Sequence, residues 1–373
     1  MKIGIITWFT YENYGTKLQA LALQEYLKKQ GYSVELLNFQ PPTVERINKT
    51  SIKQKIINKK KAFDNQRAQK KYAEQLQKRS IAFKEIIEEN CKLTQPITNE
   101  QEYIEIANGF DLLICGSDQI WNPNWFHPYY FAGFEEIKVP KIAYAPSIGV
   151  KKIGEKEKIR IQKCIKDFAT IAMREKSGQV EIQKLTDLNV REVLDPTLLM
   201  NANEWEKILK IKSINENKPY VCCYFLGDNK KHWNAVLDYA KQKNMKVKII
   251  PQQGSAYFKN GEVKASAGVD DFVKLIKNAK IIFTDSFHAT VFSTIFHKDF
   301  YVFERFQEIE SGSQNSRIYD FLKLVDLKER LIKFNTNIIR IQTPINYSKT
   351  ENILNNKINE SKIYLKEAIK INE

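Results

Sequence analysis

Short apolar runs alternate with amphipathic stretches along almost the whole chain. Lys2–Trp8 is a strand-like run, and Gly15–Gln30 follows it with apolar residues at helical spacing. Ser33–Phe39 is the second strand-like run, and Lys231–Lys243 and Asp271–Ala279 are later helical stretches. The other predicted strands are Asp111–Cys115, Lys141–Ala145, Thr170–Arg174, Val190–Leu194, Pro219–Leu226, Lys246–Ile250, Lys280–Thr284 and Phe300–Phe303. Strands that alternate with helices in this way form parallel sheets covered by helices.

The predicted strands fall into two series, which indicates two Rossmann-like domains. We expect an α/β fold with an N-terminal domain over residues 1–200, a C-terminal domain over 201–345 and a C-terminal helix over 346–373. The polar run Asn215–Lys218 directly precedes Pro219 and suits a linker between the domains. Two such domains face each other across a cleft, and ligands bind there at the carboxyl ends of the strands.

Composition narrows the class of protein. The chain has 373 residues, which suits two domains, and its 43% hydrophobic content can form two ordinary cores. No run approaches the ~18 apolar residues that a membrane span needs, and the first residues lack the pattern of a signal peptide, so we expect a cytoplasmic protein. The five cysteines form no Cys-x-x-Cys pair and have no metal-ligand spacing, which predicts neither a disulfide framework nor a metal site.

Positive charge is concentrated in one segment. The formal net charge is +15, and residues 45–79 hold twelve Lys or Arg against three Asp or Glu. This segment overlaps a helical pattern over Ile52–Asn90, in a predicted basic insert at about residues 45–90. A basic helix is either a solvated face or a surface that attracts anionic lipid headgroups or an acidic glycan carrier. No DNA- or RNA-binding motif accompanies it, so we expect no nucleic-acid partner.

The segment with the clearest chemistry follows the strand Lys280–Thr284. Asp285 and Ser286 come next, and either can cap the helix that is predicted to contain Val291–His297. His288 then lies in the first turn, where the open N–H groups and partial positive charge of a helix N-terminus attract anions. A histidine there is placed to exchange a proton with a substrate that carries phosphate or carboxylate. The alternative is a structural histidine bonded to a neighbouring carbonyl.

Three arginines lie at or beyond strand ends. Arg174 ends one predicted strand, Arg305 follows Phe300–Phe303, and Arg317 comes after a polar loop. The planar guanidinium group binds carboxylate or phosphate through two parallel hydrogen bonds. These positions predict a site for an anionic substrate near His288.

Two turns in the N-terminal half also carry candidate binding residues. The turn 11–15 has one glycine and lacks the Gly-x-Gly-x-x-Gly pattern of dinucleotide binding, so NAD and FAD are not expected. The turn 116–122 combines small, polar and aromatic residues at a strand end, where Trp121 either covers the face of a sugar ring or fills a gap in the core. The turn that begins with Asp195 is interpreted as structural.

These segments together resemble the polysaccharide pyruvyl transferase family, in family order from about residue 3 to residue 325. Ala289 departs from the pattern, since the family commonly has glycine after the histidine. The segments are Asn13-Tyr14-Gly15 with Leu18-Gln19, Gly116-Ser117-Asp118-Gln119-Ile120-Trp121-Asn122, Arg174-Glu175, Asp195-Pro196-Thr197 and Thr284-Asp285-Ser286-Phe287-His288.

The resemblance implies a two-domain fold of the GT-B type and a specific transfer reaction. The pyruvyl group of phosphoenolpyruvate would pass to a sugar of a cell-surface polysaccharide or its lipid-linked precursor, forming a cyclic ketal and releasing phosphate, without metal or cofactor. His288 matches the family histidine proposed as the acid, Arg174 resembles the arginine that holds phosphoenolpyruvate, and Arg305 corresponds to a downstream cation. With Ser286 and Arg317 these form the expected donor side. The expected acceptor side is Asn13, Tyr14, Gly15, Ser117, Asp118, Gln119, Trp121 and Asn122.

Two other functions stay open at this point. A glycosyltransferase that uses a sugar nucleotide on the same fold would need a carboxylate for the ribose, and Glu304 is placed to supply one. The second alternative is a non-catalytic protein associated with glycans or membranes. The presence of His288 and Arg174 argues against it.

Overall fold

Two parallel six-stranded sheets form the framework of the molecule. The computed structural model describes residues 1–41, 52–212, 218–307, 313–336 and 343–372, with residues 52–55 as backbone only. The first sheet has the strand order β2-β1-β3-β4-β5-β6. Its strands are β1 (Lys2–Ile6), β2 (Ser33–Leu36), β3 (Leu112–Gly116), β4 (Lys141–Tyr144), β5 (Phe168–Met173) and β6 (Arg191–Glu192).

The second sheet is built from the C-terminal half and has the order β12-β11-β10-β7-β8-β9. Every strand predicted from the sequence is present, with ends within three residues of the prediction. The two additional strands, β9 and β12, have two residues each and are too short to show a periodic pattern. The strands are β7 (Tyr220–Tyr224), β8 (Lys246–Ile250), β9 (Glu262–Val263), β10 (Ile281–Thr284), β11 (Asp299–Phe303) and β12 (Leu331–Ile332).

Helices connect successive strands and cover the sheets. Those of the first half are α1 (Tyr14–Lys29), α2 (Ile52–Lys71), α3 (Ala73–Asn90), α4 (Glu100–Asn108), α5 (Glu155–Ile165) and α6 (Lys176–Gln183). Those of the second half are α7 (Ala202–Ile208), α8 (Lys230–Gln242), α9 (Val269–Lys277), α10 (Phe287–Ile295), α11 (Ser316–Leu324) and α12 (Tyr347–Lys370). The predicted architecture of two Rossmann-like domains with a C-terminal helix is confirmed.

Helix α1 lies between the two domains. Twelve of its sixteen residues are buried, because it packs on its own sheet and also against α9 and α10 of the second domain. Leu18 of α1 shares one apolar cluster with Phe272 of α9 and Phe292 of α10. The burial of this shared surface holds the N-terminus of α10 against the first domain.

The basic insert is two helices rather than one continuous helix. The break falls at Tyr72, and residues 45–51 of the predicted insert lie outside the described residues. The buried guanidinium of Arg79 donates to the backbone oxygen of Pro251 at 2.6 Å and to Gln252 Oε1 at 2.9 Å. Since both acceptors follow strand β8, the insert bridges the two domains.

The chain returns to the first domain at its C-terminal end. The hydroxyl of Tyr364 in α12 donates to the backbone oxygen of Ala143 at 2.9 Å, and the backbone N–H of Leu194 donates to Ser361 Oγ at 2.9 Å. The predicted terminal helix therefore completes the N-terminal domain. Residues 215–217 of the predicted linker lie outside the described residues. None of the helices that can be described has the length and apolarity needed to cross a bilayer.

Candidate active site

The turn between β10 and α10 presents His288 at the carboxyl edge of the second sheet. Ser286 is the N-cap residue of α10, and its Oγ accepts from the backbone N–H of Ala289 at 3.4 Å. Asp285 has a different task, since its carboxylate accepts from the backbone N–H groups of Leu226 and Gly227 at 2.6 and 2.8 Å. Ser286 is thus the cap, while Asp285 ties the turn to the loop after β7.

His288 reaches across to the first domain, where it meets Asp195. Its Nε2 lies 3.5 Å from Asp195 Oδ2, and His288 is only 7% exposed. The Asp195 turn, interpreted from the sequence as structural, therefore also presents a carboxylate to His288. Nothing in the local pattern indicates this contact, because the two residues belong to different domains.

The Asp195 carboxylate is buried and heavily hydrogen-bonded. Oδ2 accepts from Arg174 Nη1 at 2.8 Å and from Ser117 Oγ at 3.1 Å, while Oδ1 accepts from the Thr197 backbone N–H at 3.0 Å. Burial alone would raise the pKa of Asp195. The positive charges of His288 and Arg174 and the hydrogen bonds outweigh burial and hold this pKa well below its ordinary range. Asp195 is therefore a permanent negative charge beside the imidazole.

The Asn13-Tyr14-Gly15 segment positions His288 instead of offering three ligand contacts. A Cβ atom at Gly15 would lie 1.9 Å from His288 Nδ1, so only glycine leaves room for the imidazole. Tyr14 is fully buried, stacks on Phe272 at 4.5 Å and donates to the backbone oxygen of Ala267 at 2.9 Å. The prediction that Tyr14 and Gly15 bind the acceptor is wrong, because both are used in the domain interface. Asn13 caps α1 and faces the cleft.

A cavity of about 350 Å³ opens beside His288 between the two domains, and we call it the His288 cavity. It brings together side chains that follow strands of both sheets, as expected for this type of fold. Seven of the predicted site residues line it: Asn13, Asp118, Gln119, Ser286, His288, Arg305 and Arg317.

Two arginines give this cavity its cationic character. Arg317 is buried, and its Nη2 donates to Gln314 Oε1 at 3.1 Å. The Nε atoms of Arg305 and Arg317 are buried and have no hydrogen-bond partner among the described residues. Burial, and then the positive charges of Arg174 and Arg305, lower the pKa of Arg317 to about 9, so it stays charged at neutral pH. An anion in the cavity would satisfy the free N–H groups and relieve the repulsion between the guanidinium groups.

Arg174 has a different position from the one predicted. Its guanidinium does not line the His288 cavity and is 1% exposed. Its Nη1 bonds Asp195, and Asp118 and Glu175 lie within 3.9 and 3.8 Å of its other nitrogens. Three carboxylates thus surround the Arg174 guanidinium. Arg174 therefore holds Asp195 and Asp118 in place.

The turn after β3 divides between the cavity and the core. Ser117 and Asp118 have positive φ values of 22° and 57°, and Asp118 Oδ2 accepts from Thr16 Oγ1 at 2.7 Å. Trp121 is fully buried, stacks on Phe131 at 4.8 Å and donates from Nε1 to the backbone oxygen of Tyr130. The prediction that Trp121 covers a sugar ring is wrong, since the core takes both of its faces. Ser117 and Asn122 are buried beside it, where Ser117 bonds Asp195 and the Asn122 side chain donates to Gln119 Oε1 at 3.0 Å.

A comparison with protein-family models identifies the family to which the chain belongs. The model of the polysaccharide pyruvyl transferase family matches residues 13–305, which include both faces of the His288 cavity except Trp8, Gln314 and Arg317. The chain belongs to this family. No curated protein sequence matches the chain.

Solved structures similar to this member of the polysaccharide pyruvyl transferase family share its fold of the GT-B type. One is the UDP-GlcNAc 2-epimerase from Neisseria meningitidis bound to UDP-GlcNAc, with a TM-score of 0.54, 13% identity, and coverage of 99% of this chain and 100% of the other. Another is the UDP-GlcNAc 2-epimerase from Methanocaldococcus jannaschii, with a TM-score of 0.52, 12% identity, and coverage of 95% and 99%. At these identities the likeness concerns the fold alone.

Several lining residues of this pyruvyl transferase family site are absent from the sequence prediction. Trp8 follows β1 and Gln252 and Gln253 follow β8, so the rule that ligands meet strand ends could have found them. Gln314 lies in an irregular segment and Trp125 in the short 3₁₀ helix Pro123–Trp125, and neither is long enough to carry a periodic signal. Within the described ranges, no three His, Cys, Asp or Glu side chains form a group that could hold a metal ion.

Glu304 is committed to contacts within the protein. Its carboxylate accepts from the Tyr319 hydroxyl at 2.6 Å, from Lys333 Nζ at 2.8 Å and from the Phe334 backbone N–H at 2.9 Å. It does not line the His288 cavity. The residue that the sequence offers for the ribose of a sugar nucleotide is thus already used elsewhere.

Proposed function

We propose that this protein transfers the pyruvyl group of phosphoenolpyruvate to a sugar of a cell-surface polysaccharide or its precursor. The observation that carries the proposal is the joint placement of His288 with Arg305 and Arg317 in one cavity at the N-terminus of α10. Phosphoenolpyruvate has two anionic groups and a carbon that must be protonated, and the cavity offers matching chemistry for each.

The donor would bind through its phosphate and carboxylate. Arg305 and Arg317 have free buried N–H groups that can form charge-assisted hydrogen bonds with these anions. The N-terminus of α10, capped by Ser286, adds partial positive charge on the same side. Arg174 supports this arrangement indirectly by fixing Asp195.

His288 would act as the general acid. Its Nε2 lies 3.5 Å from Asp195 Oδ2, a contact that orients the ring, and the imidazole lines the cavity in which the donor would bind. Protonation turns the methylene of phosphoenolpyruvate into a methyl group and gives the neighbouring carbon cationic character. One sugar hydroxyl then attacks this carbon and loses its proton to the imidazole. A second hydroxyl displaces phosphate from the same carbon and gives its proton to the departing phosphate, which closes the ketal.

The reaction is tested by incubating the protein with phosphoenolpyruvate and bacterial surface oligosaccharides, and by measuring inorganic phosphate and pyruvate ketal on the glycan by mass spectrometry. Phosphate release that depends on the acceptor supports the proposal. Thermal stabilisation by UDP or GDP, with none by phosphoenolpyruvate, would favour a glycosyltransferase that uses a sugar nucleotide. The absence of both turnover and donor binding would favour the non-catalytic alternative.

Replacing Arg317 by lysine is expected to weaken phosphoenolpyruvate binding about ten- to a hundredfold. Lysine retains the charge but loses the planar fork, and a hydrogen bond to a charged group contributes ~1.5–3 kcal/mol. Isothermal titration calorimetry measures the dissociation constant. The matched control is Arg191→Lys, whose side chain is 50% exposed and pairs with Glu367. An unchanged affinity in the Arg317 variant would remove this residue from the donor site.

We also propose that the basic helix α2 brings the enzyme to anionic membranes, where lipid-linked acceptors are assembled. One side of α2 packs against residues Gly254–Phe258 of the second domain. Several lysines are exposed to solvent, and each can contribute ~1 kcal/mol near an anionic leaflet. They are Lys59, Lys60, Lys61, Lys70 and Lys71.

Vesicle cosedimentation should show binding to anionic lipids that high salt abolishes, because the Debye length falls from ~10 Å at ~0.1 M to ~3 Å at ~1 M salt. Glutamine at the five α2 lysines should reduce binding and leave turnover of a soluble acceptor unchanged. The control carries glutamine at five exposed lysines elsewhere: Lys207, Lys230, Lys231, Lys241 and Lys243. If both variants lost binding equally, or if the wild type bound neutral and anionic vesicles equally, α2 would be only a solvated face.

A further inference from the structure

A second cavity, rich in aromatic side chains, lies next to the His288 cavity on the first domain. Its volume is about 590 Å³, which is in the usual range of ~300–1,000 Å³ for small-molecule sites. We call it the aromatic cavity. Its aromatic residues are Trp8, Tyr11, Trp125, Phe126, His127 and Tyr130.

The two cavities are continuous. Trp8, Asn13, Thr16 and Trp125 line both of them. A molecule in the aromatic cavity can therefore extend one end toward His288. Of the two cavities, Arg305 and Arg317 line only the His288 cavity, on the side of the second domain. Arg160 lines only the aromatic cavity of the two.

The ring surfaces in the aromatic cavity are available to a ligand. Tyr11 is 52% exposed and Trp125 is 43% exposed, which is unusual for side chains of this size. Trp8 lies between them, with its ring centre 5.8 Å from the centres of both. The C–H faces of a pyranose ring pack well on such surfaces, because the face of an aromatic ring carries partial negative charge.

Polar groups interrupt the aromatic surface and can bind hydroxyl groups. His127 Nδ1 is buried with no hydrogen-bond partner among the described residues. Burial and the nearby charge of Arg160 lower the pKa of His127, so the neutral ring offers one donor and one acceptor. Asn124 and Glu157 add further donors and acceptors. A purely apolar chain would leave these groups unsatisfied.

We propose that the aromatic cavity binds the acceptor glycan, with a sugar ring stacked on Trp8 and Trp125 and its reacting neighbour directed into the His288 cavity. The inference deepens the proposed function and rests on it for the direction of the chain. The site would select a glycan with exposed C–H faces. In this proposal the aromatic side chains that contact the acceptor are Trp8 and Trp125, in place of the Trp121 predicted from the sequence.

Tryptophan fluorescence can test glycan binding without turnover. The chain has five tryptophans, of which Trp121, Trp205 and Trp233 are at most 2% exposed, so quenching by acrylamide reports on Trp8 and Trp125. Methyl glycosides of glucose, galactose and mannose and of their N-acetylamino counterparts are the probes. We expect at least one to protect the emission saturably.

Trp125→Ala should weaken this protection about three- to tenfold and raise the KM for the acceptor similarly, leaving the affinity for phosphoenolpyruvate unchanged. Trp125→Phe should retain most of the affinity, and Phe63→Ala, which removes a 59% exposed aromatic ring on α2, should retain all of it. Protection without any pyruvyl transfer would refute the proposed function and leave the glycan site intact. Active enzyme with unchanged acceptor KM in Trp125→Ala, no protection by any glycoside, or protection by farnesyl phosphate alone would overturn the inference.

Discussion

The His288→Gln variant is expected to fold and to bind phosphoenolpyruvate but to lose turnover by a factor of ~10²–10⁴, the usual cost of removing a general acid. Glutamine has a similar reach and fits beside Gly15, yet it cannot donate a proton to the methylene carbon. Single-turnover phosphate release measures the chemical step, and calorimetry measures donor binding separately.

The matched control is His297→Gln. His297 lies just after α10, its side chain is 48% exposed, and it pairs with Glu351 on the surface. We expect full activity for this variant and similar melting temperatures for both proteins. A His288→Gln protein that keeps the wild-type kcat would remove His288 from the acid role.

Asp195→Asn is expected to reduce both stability and rate. Breaking a buried ion pair costs ~3–5 kcal/mol, and we expect the lower end because Asp118 and Glu175 still lie within 4 Å of Arg174. The rate should fall as well, since the amide lacks the negative charge that faces the His288 ring. Denaturant unfolding measures the first effect, and single-turnover phosphate release measures the second.

A split between kcat and donor affinity distinguishes the positioning role of Asp195 from a merely structural one. In the variant, kcat should fall while the dissociation constant of phosphoenolpyruvate stays unchanged, because Asp195 contacts His288 and does not line the His288 cavity. The stability of the protein depends on pH through Asp195. The folded-state pKa of Asp195 lies below its ordinary value of ~3.9, so its stabilising contribution is present above about pH 4 and decreases below it.

Asp187→Asn serves as the control, because Asp187 is exposed. It should leave kcat, the affinity for phosphoenolpyruvate and the stability as in the wild type. An Asp195→Asn protein with wild-type kcat would show that Asp195 only supports the fold.

The sequence by itself determined the two sheets and the location of His288. Strand and helix periodicities are local properties, so ten strands could be predicted with ends within three residues. The capping of α10 by Ser286 and the position of Arg305 just after β11 follow from the same local rules, whereas Arg317 lies in the first turn of α11. This local information is sufficient to predict a site for an anionic substrate with a histidine at one edge of the cleft.

The tertiary structure alone decided the partners of these residues. Asp195 meets His288, and Gly15 makes room for it, only because α1 and α10 from different domains share one apolar interface. The same packing buries Tyr14 between the domains, whereas Trp121 fills the core of the first domain. Trp8 and Trp125 are far apart in the chain, and the packing of the loop after β1 against the segment 123–130 forms the aromatic cavity. Such contacts depend on packing between distant segments, which no local pattern of hydrophobic and polar residues encodes.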